Sequence, residues 1–218
     1  MKQLFLCWLV VLTAGGLSAQ STTTTDRADE IRTSLRAVHH LDRAFDLHFR
    51  QDLRFFDFSL PQPAVLLETG ARFAWGDYWS TGLAYRHITA PDPLESPHQA
   101  HLRLQCTVPL RSLPISVQSR TLLIQQFDRQ LIRAGGQFRH RLRLALSDDF
   151  DIRPFGEMEV FYQIGHVVGL QRTRYALGSV FVLSDRIQVD VSATRQRTKF
   201  TESLEGRMIY ALTGRYVW

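Results

Sequence analysis

Lysine is almost missing from this chain. Only Lys2 and Lys199 occur, so 24 of the 26 basic residues are arginines. An extended nucleic-acid patch usually mixes both cations in a cluster. Here the arginines run along the whole chain, so the formal net charge of +5 is not taken as a nucleic-acid footprint. Arginine is favoured where a cation is partly buried and bonded in several directions. Cysteine is scarce too, with Cys7 inside an apolar N-terminal run and Cys106 further on. Cys106 by itself can form neither an internal disulfide nor a metal-binding pair. Beyond residue 20 no run of about 18 apolar residues exists, which excludes a transmembrane helix there. Glycine (13) and proline (8) are too few for a low-complexity chain, and 218 residues suit a single domain.

What the sequence does hold begins at its N-terminus. Met1-Lys2 gives a positive start, Leu4 to Thr13 is almost unbroken apolar sequence, and Leu17-Ser18-Ala19 supplies small residues before Gln20. This is the layout of a secretory signal peptide over 1–19, its apolar core too short to span a bilayer. Residues 20–42 are expected to form a leader. Its later part places Ile31, Leu35, Val38 and Leu41 at helical spacing, so a short amphipathic helix is favoured over a short strand.

From Arg43 to the end the period is two. Phe45, Leu47, Phe49, Leu53 and Phe55 alternate with Asp46, His48, Arg50, Asp52 and Arg54. Residues two apart in a strand share a face, so the segment has one apolar side and one charged side. The pattern returns over 64–75, 78–88, 99–108, 136–146, 154–164, 172–183, 186–197 and 207–218, less cleanly over 115–127. The sum is about ten strands of roughly 11 or 12 residues, near what a tilted strand needs to cross a bilayer. Short connections such as Gly76-Asp77 and Ser184-Asp185 alternate with longer ones. That parity favours an even strand number with both ends of the meander periplasmic. The expected fold is all-β: an antiparallel up-and-down transmembrane β-barrel over 43–218, of about ten strands with 8–12 as the range.

The same alternation fits a soluble, lipocalin-like periplasmic binding barrel with its apolar face inside. The membrane arrangement is favoured by strand length and by Trp75, Tyr78, Trp79, Tyr210, Tyr216 and Trp218 near strand ends, where aromatic girdles belong. Small residues on the polar face, Gly70, Gly82, Ala84, Ala176 and Gly178, are expected to make room for guanidinium groups.

If the polar face is internal, a charge cluster lines the lumen: Arg50, Arg72, Arg86, Arg103, Arg120, Arg139, Arg141, Arg143, Glu157, Glu159, Arg172 and Arg174. Arg139, Arg141 and Arg143 face the same way as Glu157 and Glu159 on the next strand, where opposite charges attract. The favoured outcome is a lumen plugged by arginine–carboxylate pairs, with a narrow, anion-preferring pore as the other. For catalysis, His101, Ser80 and Glu68 are the set that could meet in the lumen, although no local spacing demands it. A lipid-modifying enzyme is thus a minor alternative, and neither a cofactor nor a metal is expected. His98 and His101, three apart in a strand, fall on opposite faces.

The chain closes on Gly214-Arg215-Tyr216-Val217-Trp218. Alternating aromatics ending in an aromatic C-terminus resemble the signal by which barrel assembly machinery recognises its substrates, with Gly214, Tyr216 and Trp218 as the matching positions. The arginine strand Phe138-Arg139-His140-Arg141-Leu142-Arg143-Leu144 is followed by Arg153-Pro154-Phe155-Gly156-Glu157-Met158-Glu159-Val160-Phe161 and by Arg172-Thr173-Arg174-Tyr175-Ala176-Leu177-Gly178. On these segments the chain resembles the domain-of-unknown-function 2490 family of uncharacterised bacterial outer-membrane barrels. The family tends to carry a tryptophan near the mature N-terminus, which this chain lacks. The resemblance implies a fold and an outer-membrane location; the lipid bilayer and, from the C-terminal pattern, the barrel assembly machinery are the expected partners. It implies no activity.

Overall fold

A computed structural model describes residues 30–56, 64–89, 98–110, 113–128, 130, 132–146, 150–164, 169–198 and 206–218. The expected signal peptide and the leader before Glu30 lie outside the described residues. The rest forms eleven strands: β1 (Glu30–His40), β2 (Phe45–Phe56), β3 (Ala64–Trp75), β4 (Trp79–Thr89), β5 (His98–Leu110), β6 (Ile115–Phe127), β7 (Arg133–Leu146), β8 (Ile152–Ile164), β9 (Gly169–Ser184), β10 (Ile187–Thr198) and β11 (Gly206–Val217).

Strands β2 to β11 are the ten that the alternation predicts, and each is antiparallel to the next. The eleventh comes from the segment where a short helix and a short strand compete, and it takes the strand. Its residues carry a second period that fits a strand equally well. Glu30, Ser34 and Val38 are buried, and Arg32 and Arg36 share their face, while Ile31, Thr33, Leu35 and Ala37 take the other. Tertiary context decides between the two. Strand β1 pairs antiparallel with β2 and parallel with β11, from Glu30↔Ile209 to Val38↔Val217, and so closes the barrel. Both strand edges are then satisfied, as an apolar surrounding requires.

The seam is pinned at its end by Trp218 N–H donating to the Val38 carbonyl at 3.0 Å and His40 N–H donating to the Trp218 carbonyl at 3.2 Å. Because β1 runs parallel to β11, Glu30 sits at the rim opposite Trp218. The even strand number expected for the whole barrel thus holds for the meander β2–β11 and not for the closed sheet.

Strand ends alternate between the rims: β1, β3, β5, β7, β9 and β11 end, and β2, β4, β6, β8 and β10 begin, at the rim of Trp218, and their other ends share the rim of Glu30. At the first rim Trp75 stacks on Trp79 with ring centroids 5.5 Å apart, and Trp218 stacks on Tyr216 (5.8 Å) and His39 (5.4 Å).

Exposure decides which face is outside. Leu177 is 74% exposed and Leu83 66%, whereas Glu68 is 3%, Glu159 3% and His101 2% exposed. The apolar face is therefore external and the charged face internal, the reverse of a lipocalin. The interior is not wholly polar. Leu66, Ile88, Leu122, Ile124, Phe155 and Phe161 are also buried there, and Leu122 with Ile124 explains why the 115–127 pattern looks untidy in sequence.

Candidate functional site

Eleven strands about 4.8 Å apart and tilted by about 40° close on a cylinder about 22 Å across at the backbone. Arginines from well-separated strands interact across so narrow a lumen: Arg36 on β1 with Arg103 on β5, and Arg50 on β2 with Asp190 on β10.

Away from the rim that holds Glu30, the buried Glu159 and Glu68 organise the arginines. Glu159 on β8 accepts a two-pronged pair of hydrogen bonds from Arg139, at 2.6 and 2.8 Å, and lies 3.8 Å from both Arg120 and Arg174. Glu68 on β3 accepts from Arg86 at 2.5 and 3.0 Å and has Arg103, His48 and His101 each at 3.5 Å. Between them Arg141 reaches Glu157 at 3.1 Å and Gln118 at 2.9 Å, and Arg143 reaches Asp190 on β10 at 3.3 Å. Towards the rim of Trp218, Arg72 pairs with Asp46, and at the level of Glu68 Arg50 donates to Asp52 at 2.6 Å.

Aromatic faces compensate part of the remaining charge. The guanidinium carbons of Arg139, Arg172 and Arg174 lie 4.8, 4.6 and 4.7 Å from the centre of the Phe161 ring, and that of Arg143 lies 3.5 Å from Phe155. A ring face attracts cations, so one buried phenylalanine lets three arginines share a small volume with one carboxylate. A bulge between Phe161 and Tyr162 in the β8–β9 pairing aids this crowding. There Gln171 accepts a 3.3 Å hydrogen bond from Gln137, immediately beside Arg172.

All twelve residues of the expected lumen cluster thus occupy the inner face. Alternation could equally have named others. Arg54 and Asp52 share the parity of Arg50, and Arg207 and Arg215 share one parity on β11. Glu30, Arg32 and Arg36 were hidden because their segment looked helical. Glu30 is 1% exposed and takes Arg32, Arg207 (2.5 Å) and Arg54 (3.9 Å).

The small inner residues serve rings more than guanidiniums. A Cβ on Gly70 would come within 2.7 Å of His48 Cε1, and one on Gly178 within 2.6 Å of Phe155 Cζ.

The catalytic set comes together only in part. His101 reaches Glu68, but its register partner on β4 is Ala84, which puts Ser80 four residues further along the strand, about 13 Å away. Among the described residues no group of three or more histidine, cysteine or acidic side chains could hold a metal ion. Gly214, Tyr216 and Trp218 lie on the outer face of β11 beside the seam, where a Cβ on Gly214 would stand 3.6 Å from Leu35 Cδ1.

A closed barrel with an apolar exterior and an arginine-rich interior is a porin-like β-barrel. The chain belongs to the family described as a protein of unknown function (DUF2490), which matches residues 32–205, a span that opens within β1. Among solved structures the fold is similar to that of a NanC porin in a rhombohedral crystal form. The TM-score is 0.52 and the identity 8%, over 82% of this chain and 93% of that one. A porin refined at 1.8 Å aligns at a TM-score of 0.39 and 14% identity, over 78% of this chain and 56% of that one. At such identities the likeness concerns the fold alone. No curated protein matches the chain.

Proposed function

We propose that this protein is an exported outer-membrane barrel whose lumen forms a narrow, anion-preferring path. The observation that carries this is a charge imbalance. Among the described residues the inner carboxylates are Glu30, Asp46, Asp52, Glu68, Glu157, Glu159 and Asp190. Against them stand the ten arginines of the predicted cluster and also Arg32, Arg36, Arg54, Arg207 and Arg215, about twice as many. A dry plug requires near-neutrality, because each uncompensated buried ion costs several kcal/mol. An excess of cations requires water or anions in the lumen instead, and charged walls set the selectivity of a pore.

Reconstitution into planar bilayers under a salt gradient tests this. The expected result is small conductance steps with a reversal potential on the anion side. A cation-side reversal potential, or no conductance from folded protein, overturns it.

A structural, plugged barrel is the second reading, favoured by ties such as Arg143–Asp190 and Arg103–Glu68 that link non-adjacent strands. Absence of conductance would turn the assignment to it. A lipid-modifying activity has weaker support, since His101 and Glu68 have no serine of the expected set beside them.

The proposal includes export by residues 1–19 and lipid around the outer face. It also includes recognition of Gly214, Tyr216 and Trp218 by the assembly machinery, with the long connections on the outside. Migration on gels that changes on heating, in outer-membrane extracts, tests the location. Recovery in the soluble periplasmic fraction overturns it.

A further inference from the structure

The parallel seam creates a feature that the other described strand pairs lack. In the register, Arg36 of β1 lies opposite Arg215 of β11 on one side and Arg50 of β2 on the other. Three arginines therefore occupy one row on three adjacent strands, where neighbouring Cα atoms are about 5 Å apart. Like charges placed so are mutually destabilising.

Their compensation is uneven. Arg50 donates to Asp52 at 2.6 Å and to Ser34 at 3.4 Å. Arg36 makes no ion pair or hydrogen bond among the described residues, and its Nε is sealed from solvent. The charges acting most strongly on Arg36 are those of Arg215, Arg103 and Arg50, with Glu68 opposing them. Glu68 is already engaged by Arg86, Arg103 and two histidines. The row thus presents guanidinium donors from several directions with no carboxylate left to take Arg36.

We propose that Arg36, Arg50 and Arg215 form a binding site for a small oxyanion carrying two charges, with Arg36 as its principal donor. The site rests on the anion reading of the lumen and names where within it an anion would be held. A planar guanidinium offers two parallel N–H groups to two oxygens, which suits phosphate-like geometry better than a halide.

The test uses the full-length mature protein, folded in detergent, and inorganic phosphate titrated against chloride at constant ionic strength. Its readout is the thermal unfolding midpoint followed by tryptophan fluorescence. The wild type is expected to show a saturable rise. Arg36→Gln is expected to weaken the half-saturation by about tenfold or more, and Arg36→Lys by less, because it keeps the charge and loses the fork. Arg195→Gln, which removes an exposed charge from the outer face, keeps the wild-type curve. In phosphate-free buffer Arg36→Gln is expected to unfold at or above the wild-type midpoint, so the variant remains measurable. A titration that does not saturate in the wild type, or that runs the same in Arg36→Gln, overturns the site. The reversal potential is measured separately. An anion-side potential with no saturable phosphate effect sinks the site alone, and a cation-side potential sinks the channel reading itself.

Discussion

Arg139 on β7 holds Glu159 on β8 diagonally: the direct register partner of Glu159 is Arg141, yet Arg139 supplies both hydrogen bonds. Arg141 turns instead to Glu157 and Gln118. The diagonal choice places Arg139 over the Phe161 ring, and so it combines an ion pair with a cation–ring contact.

This arrangement ranks the two glutamates of β8. Glu159→Gln leaves Arg139, Arg120 and Arg174 around a neutral amide, and removal of one partner from a buried pair costs about 3 kcal/mol or more. Glu157→Gln costs less, about 1 kcal/mol, since Arg143 keeps Asp190 and Arg141 keeps Gln118. Urea unfolding of protein folded into lipid vesicles measures both. Equal effects, or the reverse order, would remove Glu159 from its central place.

Glycine positions give a second ranking. An alanine methyl at Gly70 would crowd the Leu83 carbonyl, Ala84 Cβ and the His48 ring, the last two at 2.7 Å. At Gly178 it would crowd the Val191 carbonyl, Phe155 and Ser192. In both cases backbone atoms are among the neighbours, so the strain cannot be relieved by a rotamer change alone. Each substitution is expected to cost about 1–3 kcal/mol. At Gly156 the nearest atom is Leu177 Cδ2 at 3.7 Å, an ordinary contact, and Gly156→Ala is expected to be neutral. The same unfolding assay tests the contrast.

Closure through β1 is tested by Leu35→Pro. Leu35 lies mid-strand, opposite Gln51 of β2 and Gly214 of β11, where proline removes a ladder hydrogen bond from a strand paired on both sides. The variant is expected to lose the fast-migrating folded band on unheated gels, or to lose it at a much lower temperature. An unchanged band would mean that β2–β11 close on themselves and that β1 is dispensable.

Most of the barrel could be read from the chain because its physics is local. Phe45 to Phe55 alternate so strictly that one slip would turn every arginine outward, and ten strands follow from that rule alone. The lumen cluster follows from the same parity. The part left open, β1, is where local and global signals conflict. Ile31, Leu35 and Val38 fit a helical stripe as well as two faces of a strand, and only the unpaired edges of β2 and β11 settle the matter. For that reason Glu30, Arg36 and the seam were not legible. Nor could spacing show that Gly70 and Gly178 accommodate His48 and Phe155, since those contacts cross between strands or depend on side-chain direction.

The outer face offers the sharpest test of what surrounds the barrel. Leu83 lies near the middle of β4 and is 66% exposed. In a soluble barrel an exposed leucine can become arginine at almost no cost, because the charge remains in water. In a bilayer the same position faces hydrocarbon, and an arginine near the midplane of a transmembrane barrel costs about 2–4 kcal/mol. Leu83→Arg is therefore expected to lower unfolding stability in lipid vesicles by that amount. Val191→Arg, at another exposed outer position in the middle of β10, should do likewise. Gln118→Arg provides the comparison, because it places the same side chain in the lumen, on the inner face of β6, where its cost comes from neighbouring cations and falls as salt is added. A salt-insensitive loss at Leu83 and Val191, beside a salt-sensitive loss at Gln118, assigns lipid to the outside and ions to the inside. If the outer substitutions were neutral, the apolar face would be meeting something other than hydrocarbon.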